Sequence, residues 1–239
     1  IKLDLAIVAT STESHEKNIM EILKYKPKVL VCEKPLTSHP DRDKRVLNTL
    51  QKKNVKLIIN YHRKFDSRFR QLNLLIKNNA YNKLIFKYGN GFLNYASHML
   101  DFLIRTLGKI KNLKIIRKEK FKKDFSIDLY VKFECGFNAY FLSFENYQFD
   151  IFDLEIYNKK NKIEVVYGGH EINFFQTKKN LIYKNYSFLK QEKKKFESFG
   201  NGFEKLYENI IKYFEGKNNL IDQENDYFYF SSIIKKIIG

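Results

Sequence analysis

The sequence predicts an α/β protein: a parallel sheet wound by helices, followed by an α+β domain with a mostly antiparallel sheet. Three observations carry this. Short apolar runs alternate with helically spaced segments from Leu3 to Ile59. Stretches of period two, rich in β-branched and aromatic residues, dominate from about 113 to 190. Two helical patterns then close the chain. The change of texture places a domain boundary after His62, giving residues 1–62 and 63–239.

Each element has a local reason. Residues 3–9 (LDLAIVA) are an apolar run, and 13–25 show helical spacing through Ile19, Ile22 and Leu23. KVLVC (28–32) is the next strand, a helix near 39–53 carries Val46, Leu47 and Leu50 on one face, and VKLII (55–59) follows. Strand, helix, strand, helix, strand with short links is the pattern of right-handed crossovers in a parallel sheet. Beyond it come a helix near 66–78 and a second ending at Gly108, a C-cap residue. SIDLYVKFECGFNAYFLSF, FDLEIYN and NKIEVVYG alternate as strands with one solvated face do. Helices near 203–214 and 222–237 end the chain, and QEKKKFE reads as a solvated loop or helix end.

Composition narrows the class. With 239 residues, 44% of them hydrophobic and 16% aromatic, the chain has enough apolar material for a real core and no disordered signature. The formal charge of +17 invites nucleic acid, an anionic surface or a phosphorylated ligand. Yet the lysines are spread along the chain among Asn, Ile, Phe and Tyr, the kind of drift an AT-rich genome produces, and no helix-turn-helix, zinc or RNA-binding signature accompanies them. No apolar run approaches the roughly 20 residues that span a bilayer. The expectation is a cytoplasmic protein without nucleic-acid or membrane partner. Cys32 and Cys135 sit in strand-like runs and read as buried free thiols, and no metal-ligand set is assigned.

Four stretches carry chemistry-bearing residues: ATSTESH (9–15), CEKPL (32–36), NYHRKFD (60–66) and NYASHMLD (94–101). The first three follow successive parallel strands. Topology therefore puts them on one edge of the sheet, where open α/β sheets bind ligands.

Together these stretches resemble the Gfo/Idh/MocA family of nicotinamide-dependent sugar and polyol oxidoreductases. AIVATSTESH is similar to the family's strand and A-T-P-x-x-x-H turn, VLVCEKPL to its E-K-P strand end, NYHRKFD to its Y-x-R-R-F-x-P segment, and NYASHMLD to its G-G-x-x-x-D-x-G-x-H-x-x-D segment. The resemblance implies a Rossmann fold, NAD or NADP as cofactor, and a sugar or nucleotide sugar as substrate. It implies that Lys34, His98 and Asn94 are catalytic. Thr10, Ser11, His15, Glu33, Lys34 and Pro35 would border the dinucleotide, and Lys34, Tyr61, His62, Arg63, Asn94, His98 and Asp101 the substrate. The chemistry agrees: oxidising an alcohol needs a proton acceptor, which an imidazole such as His98 supplies, and a cation such as Lys34 to steady the developing alkoxide.

Singly, these residues have plainer readings. Lys34 alone reads as a solvated strand-end lysine beside Glu33, and His98 alone as a helix N-terminal histidine satisfied by a backbone carbonyl. His15 reads as structural, Asp101 as orienting a neighbour or capping its helix, His39 as an N-terminal helix residue and His170 as a turn residue. Pro35 and the other three stretches reverse the reading of Lys34.

Three departures from the family pattern stand out. Asn94 replaces an aspartate and cannot accept a proton. Ser11 and Ser67 replace prolines. The glycine-rich G-x-G-x-x-G fingerprint is missing, for GNGFLN and GNGFEK follow no strand of the right unit. Because Ile1 opens on a strand, the chain reads as entered partway through the Rossmann domain, with roughly 60 residues of βαβ structure upstream in a full family member. The alternative function is a non-catalytic sugar-binding or assembly protein without the cofactor half. The resemblance also implies a homo-oligomer, dimer or tetramer, and the link before YGNGFLNYASH resembles branches associated with surface-polysaccharide biosynthesis.

Overall fold

The computed structural model describes every residue except Ile1, Asn79, Asn146, 193–199 and 221–223. QEKKKFE therefore lies largely outside the described residues. Contacts divide the chain into two compact units, Ile1–His62 with Phe203–Gly239, and Arg63–Gly202.

The first unit is built on a three-stranded parallel sheet of order β1 (Leu5–Val8), β2 (Val29–Cys32), β3 (Lys56–Ile59). Its register runs Leu5–Val29–Lys56 through Val8–Cys32–Ile59, so the three strands end level. Every residue of the central strand is buried, as its uninterrupted apolar sequence requires when both faces are covered. At the edge, β1 leaves Ile7 about half exposed (48%). Crossovers α1 (Thr12–Ile22) and α2 (Pro40–Lys52) follow β1 and β2. Proline at the first turn and His39 as N-cap, its Nδ1 accepting from the Asp41 N–H at 3.4 Å, start α2, and Val46, Leu47 and Leu50 bury its inner face.

Helices α5 (Gly202–Phe214) and α6 (Glu224–Ile238) belong with this unit, whereas the sequence reading placed them in the second domain. A polar lock inside an apolar contact explains their position. Phe230 of α6 meets Tyr61 edge-on at 5.2 Å, and Ile233, Ile234 and Ile237 are buried. Between them, Ser231 Oγ and Thr37 Oγ1 each donate to the buried Asp43 carboxylate at 2.7 Å, and Tyr227 Oη reaches it at 3.4 Å. Burial pushes the Asp43 carboxyl up to about 6 against the pull of those hydroxyls.

The second unit is an eight-stranded sheet with two helices, α3 (Ser67–Asn78) and α4 (Ser97–Leu107). Its strands are β4 (Lys83–Tyr88), β5 (Ile110–Phe121), β6 (Asp124–Phe133), β7 (Asn138–Ser143), β8 (Phe152–Tyr157), β9 (Asn161–Val166), β10 (Glu171–Lys179) and β11 (Ser187–Glu192). They lie in the order β11-β10-β9-β8-β4-β7-β6-β5. All neighbours are antiparallel except β4 and β7, which run parallel. The core is aromatic: Phe86 stacks on Tyr88 at 5.6 Å and meets Phe141 and Phe152 edge-on at 5.6 and 4.7 Å. Such rings contribute both buried area and edge-to-face attraction. Tyr88 Oη donates to the Ile127 carbonyl at 2.6 Å and accepts its N–H at 3.1 Å, tying the core to β6.

Cys32 is buried as expected, but Cys135 is exposed in the β6–β7 turn. There the chain reverses at Gly136, whose φ of 88° suits glycine. Among the described residues no helix is long and apolar enough to cross a membrane.

Candidate active site

In the first unit the three strand ends converge as topology requires. After β1, Thr10 Oγ1 accepts from Ser14 Oγ at 3.0 Å and Asn18 Nδ2 at 2.9 Å, and Ser14 Oγ also donates to the Ser11 carbonyl at 2.8 Å. His15, buried on α1, sets one ring nitrogen 2.9 Å from the Pro35 carbonyl and the other 2.9 Å from that of Thr10. Its imidazole thus clamps the turn after β1 to the strand end after β2, the structural part its lone reading suggested.

After β2 come Glu33, Lys34 and Pro35, all half-buried, with the Lys34–Pro35 peptide cis. The Glu33 carboxylate accepts from Asn60 Nδ2, at the end of β3, at 2.6 Å. Tyr61 is buried, while His62 stacks on Phe203 at 5.3 Å. Asn60 did not figure among the sequence candidates, although it opens the NYHRKFD stretch. Its Oδ1 is buried and has no hydrogen-bond partner among the described residues. A buried acceptor left open costs free energy unless a donor arrives. Hydroxyl groups of a dinucleotide ribose are such donors, so this edge fits the cofactor that the resemblance implies.

In the second unit a five-residue π turn, Phe92–Ala96, runs straight into α4. Such turns are frequent at functional sites. Asp124 caps it, accepting from the Leu93 and Asn94 N–H groups at 3.0 Å each. Asn94 is exposed on the turn and His98 is buried in the first turn of the following helix. One turn on, the buried Asp101 holds Arg105 Nε at 3.0 Å, so its carboxylate orients a neighbour.

Arg63 opens the second unit. Its guanidinium carbon lies 3.5 Å from the centroid of the Phe152 ring and 5.3 Å from that of Phe69. Burial lowers its pKa to about 10, leaving it charged at neutral pH. Three residues on, Asp66 pairs with Arg68 through Nε at 3.0 Å and Nη2 at 2.7 Å, and Arg68 Nη1 donates to the Gly169 carbonyl at 2.8 Å. Phe152 and Gly169 were not among the site residues expected from sequence. The only signal for either was the paired glycines of YGGH.

Residues 2–61 match the model of the Gfo/Idh/MocA family, described as an oxidoreductase family with an NAD-binding Rossmann fold. No curated protein matches the chain. Solved structures with the same fold include a UDP-N-acetylglucosamine 3-dehydrogenase of Acidithiobacillus ferrooxidans, with TM-score 0.80 and 10% identity over 98% of this chain and 77% of that one. The WlbA dehydrogenase of Bordetella pertussis, in complex with NADH and UDP-GlcNAcA, has TM-score 0.74 and 13% identity over 98% and 76%. An oxidoreductase of Agrobacterium radiobacter, in complex with NAD+, L-tartaric acid and magnesium, has TM-score 0.70 and 12% identity over 97% and 76%. Residues 2–61 thus match the NAD-binding Rossmann fold of that oxidoreductase family, and the chain as a whole shares the fold of these solved dehydrogenases and oxidoreductases.

Proposed function

We propose that this chain is an NAD(P)-dependent oxidoreductase acting on a hydroxyl or ketone of a sugar or nucleotide sugar, with a role in surface-polysaccharide biosynthesis. The observation that carries the reading is the level edge of the parallel sheet. There Thr10 to His15, Glu33 to Pro35 and Asn60 follow three successive strands, and one buried acceptor stands open. The names of two neighbours add support, one a dehydrogenase of UDP-N-acetylglucosamine and the other a complex with UDP-GlcNAcA.

A bound nicotinamide supplies the two-electron carrier; the rest falls to the chain. Thr10, Ser11, Glu33, Lys34 and Pro35 border the dinucleotide, and His15 fixes the loop that carries them. Lys34 is the cation that steadies charge on the substrate oxygen, and His98 holds its proton. Asn94 hydrogen-bonds without titrating, and Asp101 acts through Arg105 as a positioning residue. Tyr61, His62 and Arg63 flank the sugar. Self-association as a dimer or tetramer belongs to the same reading and is checked by sedimentation.

Calorimetric titration with NADH and NADPH, followed by turnover of UDP-sugars, tests the proposal. Binding with turnover, and a loss of roughly 100-fold or more in kcat for Lys34→Ala and His98→Ala, is the expected result. Failure to bind either nucleotide, with retained affinity for sugars, sinks it in favour of a non-catalytic sugar-binding protein.

A further inference from the structure

We propose that Arg63 anchors an oxyanion site in the second unit, so that the ligand presents a carboxylate or phosphoryl group to it. A guanidinium is a planar fork of five donors, matched to two oxygens of one anion. Here the fork is held while its buried Nε is left unanswered. Phe152 and Phe69 take its positive charge on their ring faces, at 3.5 and 5.3 Å, and a ring face accepts none of the in-plane N–H groups. The buried Nε has no hydrogen-bond partner among the described residues.

The neighbouring carboxylate does not fill the gap. Asp66 spends Oδ1 on the backbone N–H and Nε of Arg68, at 2.9 and 3.0 Å, and Oδ2 on Nη2 at 2.7 Å. Arg68 is thus a buried arginine with an acceptor at each guanidinium nitrogen, a few residues from one whose buried Nε has none. Space has been kept beside Arg63 as well: a Cβ on Gly169 would stand 3.0 Å from Nη1, and the φ of that glycine is +92°. Only glycine takes that backbone angle without strain and leaves the nitrogen room.

A buried charge is retained when something compensates it. Asp66 offsets part of the Arg63 charge through space and Arg63 is only half-buried, so what stays unmet is the donor fork: sugar hydroxyls would meet its N–H groups one at a time, whereas two oxygens of one anion match fork and charge together. The anion site rests on the sugar-oxidoreductase reading only for the identity of the rest of the ligand.

The test follows the Arg63 Nε–Hε resonance of the isotope-labelled chain during titration with inorganic phosphate, glucuronate and glucose, in parallel with calorimetry. The expected result is a saturable shift with at least one anion and none with glucose. Phosphate alone would mark a phosphoryl ligand, and glucuronate alone a sugar acid. Arg63→Met, which keeps an apolar stem against Phe152, should weaken anion binding roughly ten- to hundredfold while keeping the circular dichroism of the wild type. Should that variant misfold, Arg63→Lys keeps the charge without the fork and should still weaken binding several-fold. Equal anion affinity in wild type and variants, or no shift with either anion, overturns the site. A chain that binds anions through Arg63 yet turns over no sugar upholds the anion site and defeats the dehydrogenase reading. Unchanged KM for a neutral sugar in Arg63→Met, with no anion binding in the wild type, does the reverse.

Discussion

Each unit takes polar atoms of an ionisable group out of water, wholly at Asp43 and in part at Arg63, and the two are treated in opposite ways. In the first unit the Asp43 carboxylate is met by Thr37, Ser231 and Tyr227, which come from the strand end and from α6. In the second, the Arg63 guanidinium is met by two aromatic faces, and its buried Nε has no acceptor. Asp43 therefore joins elements of the fold, and its cost of burial is offset in part by bonds already made. The buried Arg63 Nε meets no hydrogen-bond partner among the described residues, and only two ring faces and the nearby charge of Asp66 offset its burial until a ligand arrives. A buried charge that is answered reads as architecture; one that is held but unanswered reads as a site.

The largest effect expected from that contrast is at Arg68, the answered arginine. Arg68→Met strands the buried Asp66 carboxylate, and removing one partner of such a pair costs about 3–5 kcal/mol. Urea denaturation of the variant should show a midpoint well below that of the wild type. An unchanged midpoint would mean that Asp66 is not held by Arg68, and the closed pair beside Arg63 would lose its force as a contrast.

Next in size is the pH dependence carried by Asp43. Its folded pKa is raised from 3.8 to about 6, so the folded state binds the proton more tightly than the unfolded chain. The contribution is fully present below the unfolded value and is lost as pH rises through about 6. A shift of two units corresponds to about 3 kcal/mol. The stability of wild type minus that of Asp43→Asn should therefore fall between about pH 4 and pH 6 and be level above it. A difference flat across that window would show that Asp43 titrates normally.

Much of this was legible in the sequence, and the rest was unreadable for definite reasons. VLVC announced a strand buried on both faces, Pro40 announced the start of α2, and Gly108 ends α4 with its N–H on the Ile104 carbonyl at 2.8 Å. Local pattern carries such features. ECGFNAY reads as one alternating run because period two says which face a residue takes and not where the chain turns, so Cys135 was misplaced. The helices α5 and α6 follow the second unit in sequence but fold with the first, because Asp43 and Ser231 meet across most of the chain. The candidate site divides likewise. His15, Glu33 and Lys34 were visible because they follow closely on β1 and β2 in the sequence. The setting of Arg63 was not, since Phe152 and Gly169 lie far along the sequence and neither is distinctive there.

Ser231→Ala tests the answered carboxylate from the other side. It removes one hydroxyl from a buried, partly ionised group, and a hydrogen bond to a charged group contributes about 1.5–3 kcal/mol. Hydrogen exchange in α6 should rise more than exchange in β2. Equal rises throughout the unit would mean that Ser231 supports the whole first unit and not the docking of α6 in particular.

The smallest effect belongs to the residue with the greatest functional consequence. Arg63→Met removes a guanidinium that has no carboxylate of its own and leaves an apolar chain on the Phe152 and Phe69 rings. The lost attraction to the rings, about 2 kcal/mol where desolvated, and to Asp66 is opposed by relief from part-burying a charge whose Nε has no acceptor. Stability in the absence of ligand should stay within about 1 kcal/mol of the wild type, against the several kcal/mol expected at Arg68. The two arginines lie in one short segment and both feel the charge of Asp66, but only Arg68 is hydrogen-bonded to it, so the comparison isolates the presence or absence of that bonded partner. A large loss at Arg63 would assign its charge to the fold. A small one, with anion binding abolished, would mean that the segment holds one arginine for the structure and the other for the ligand.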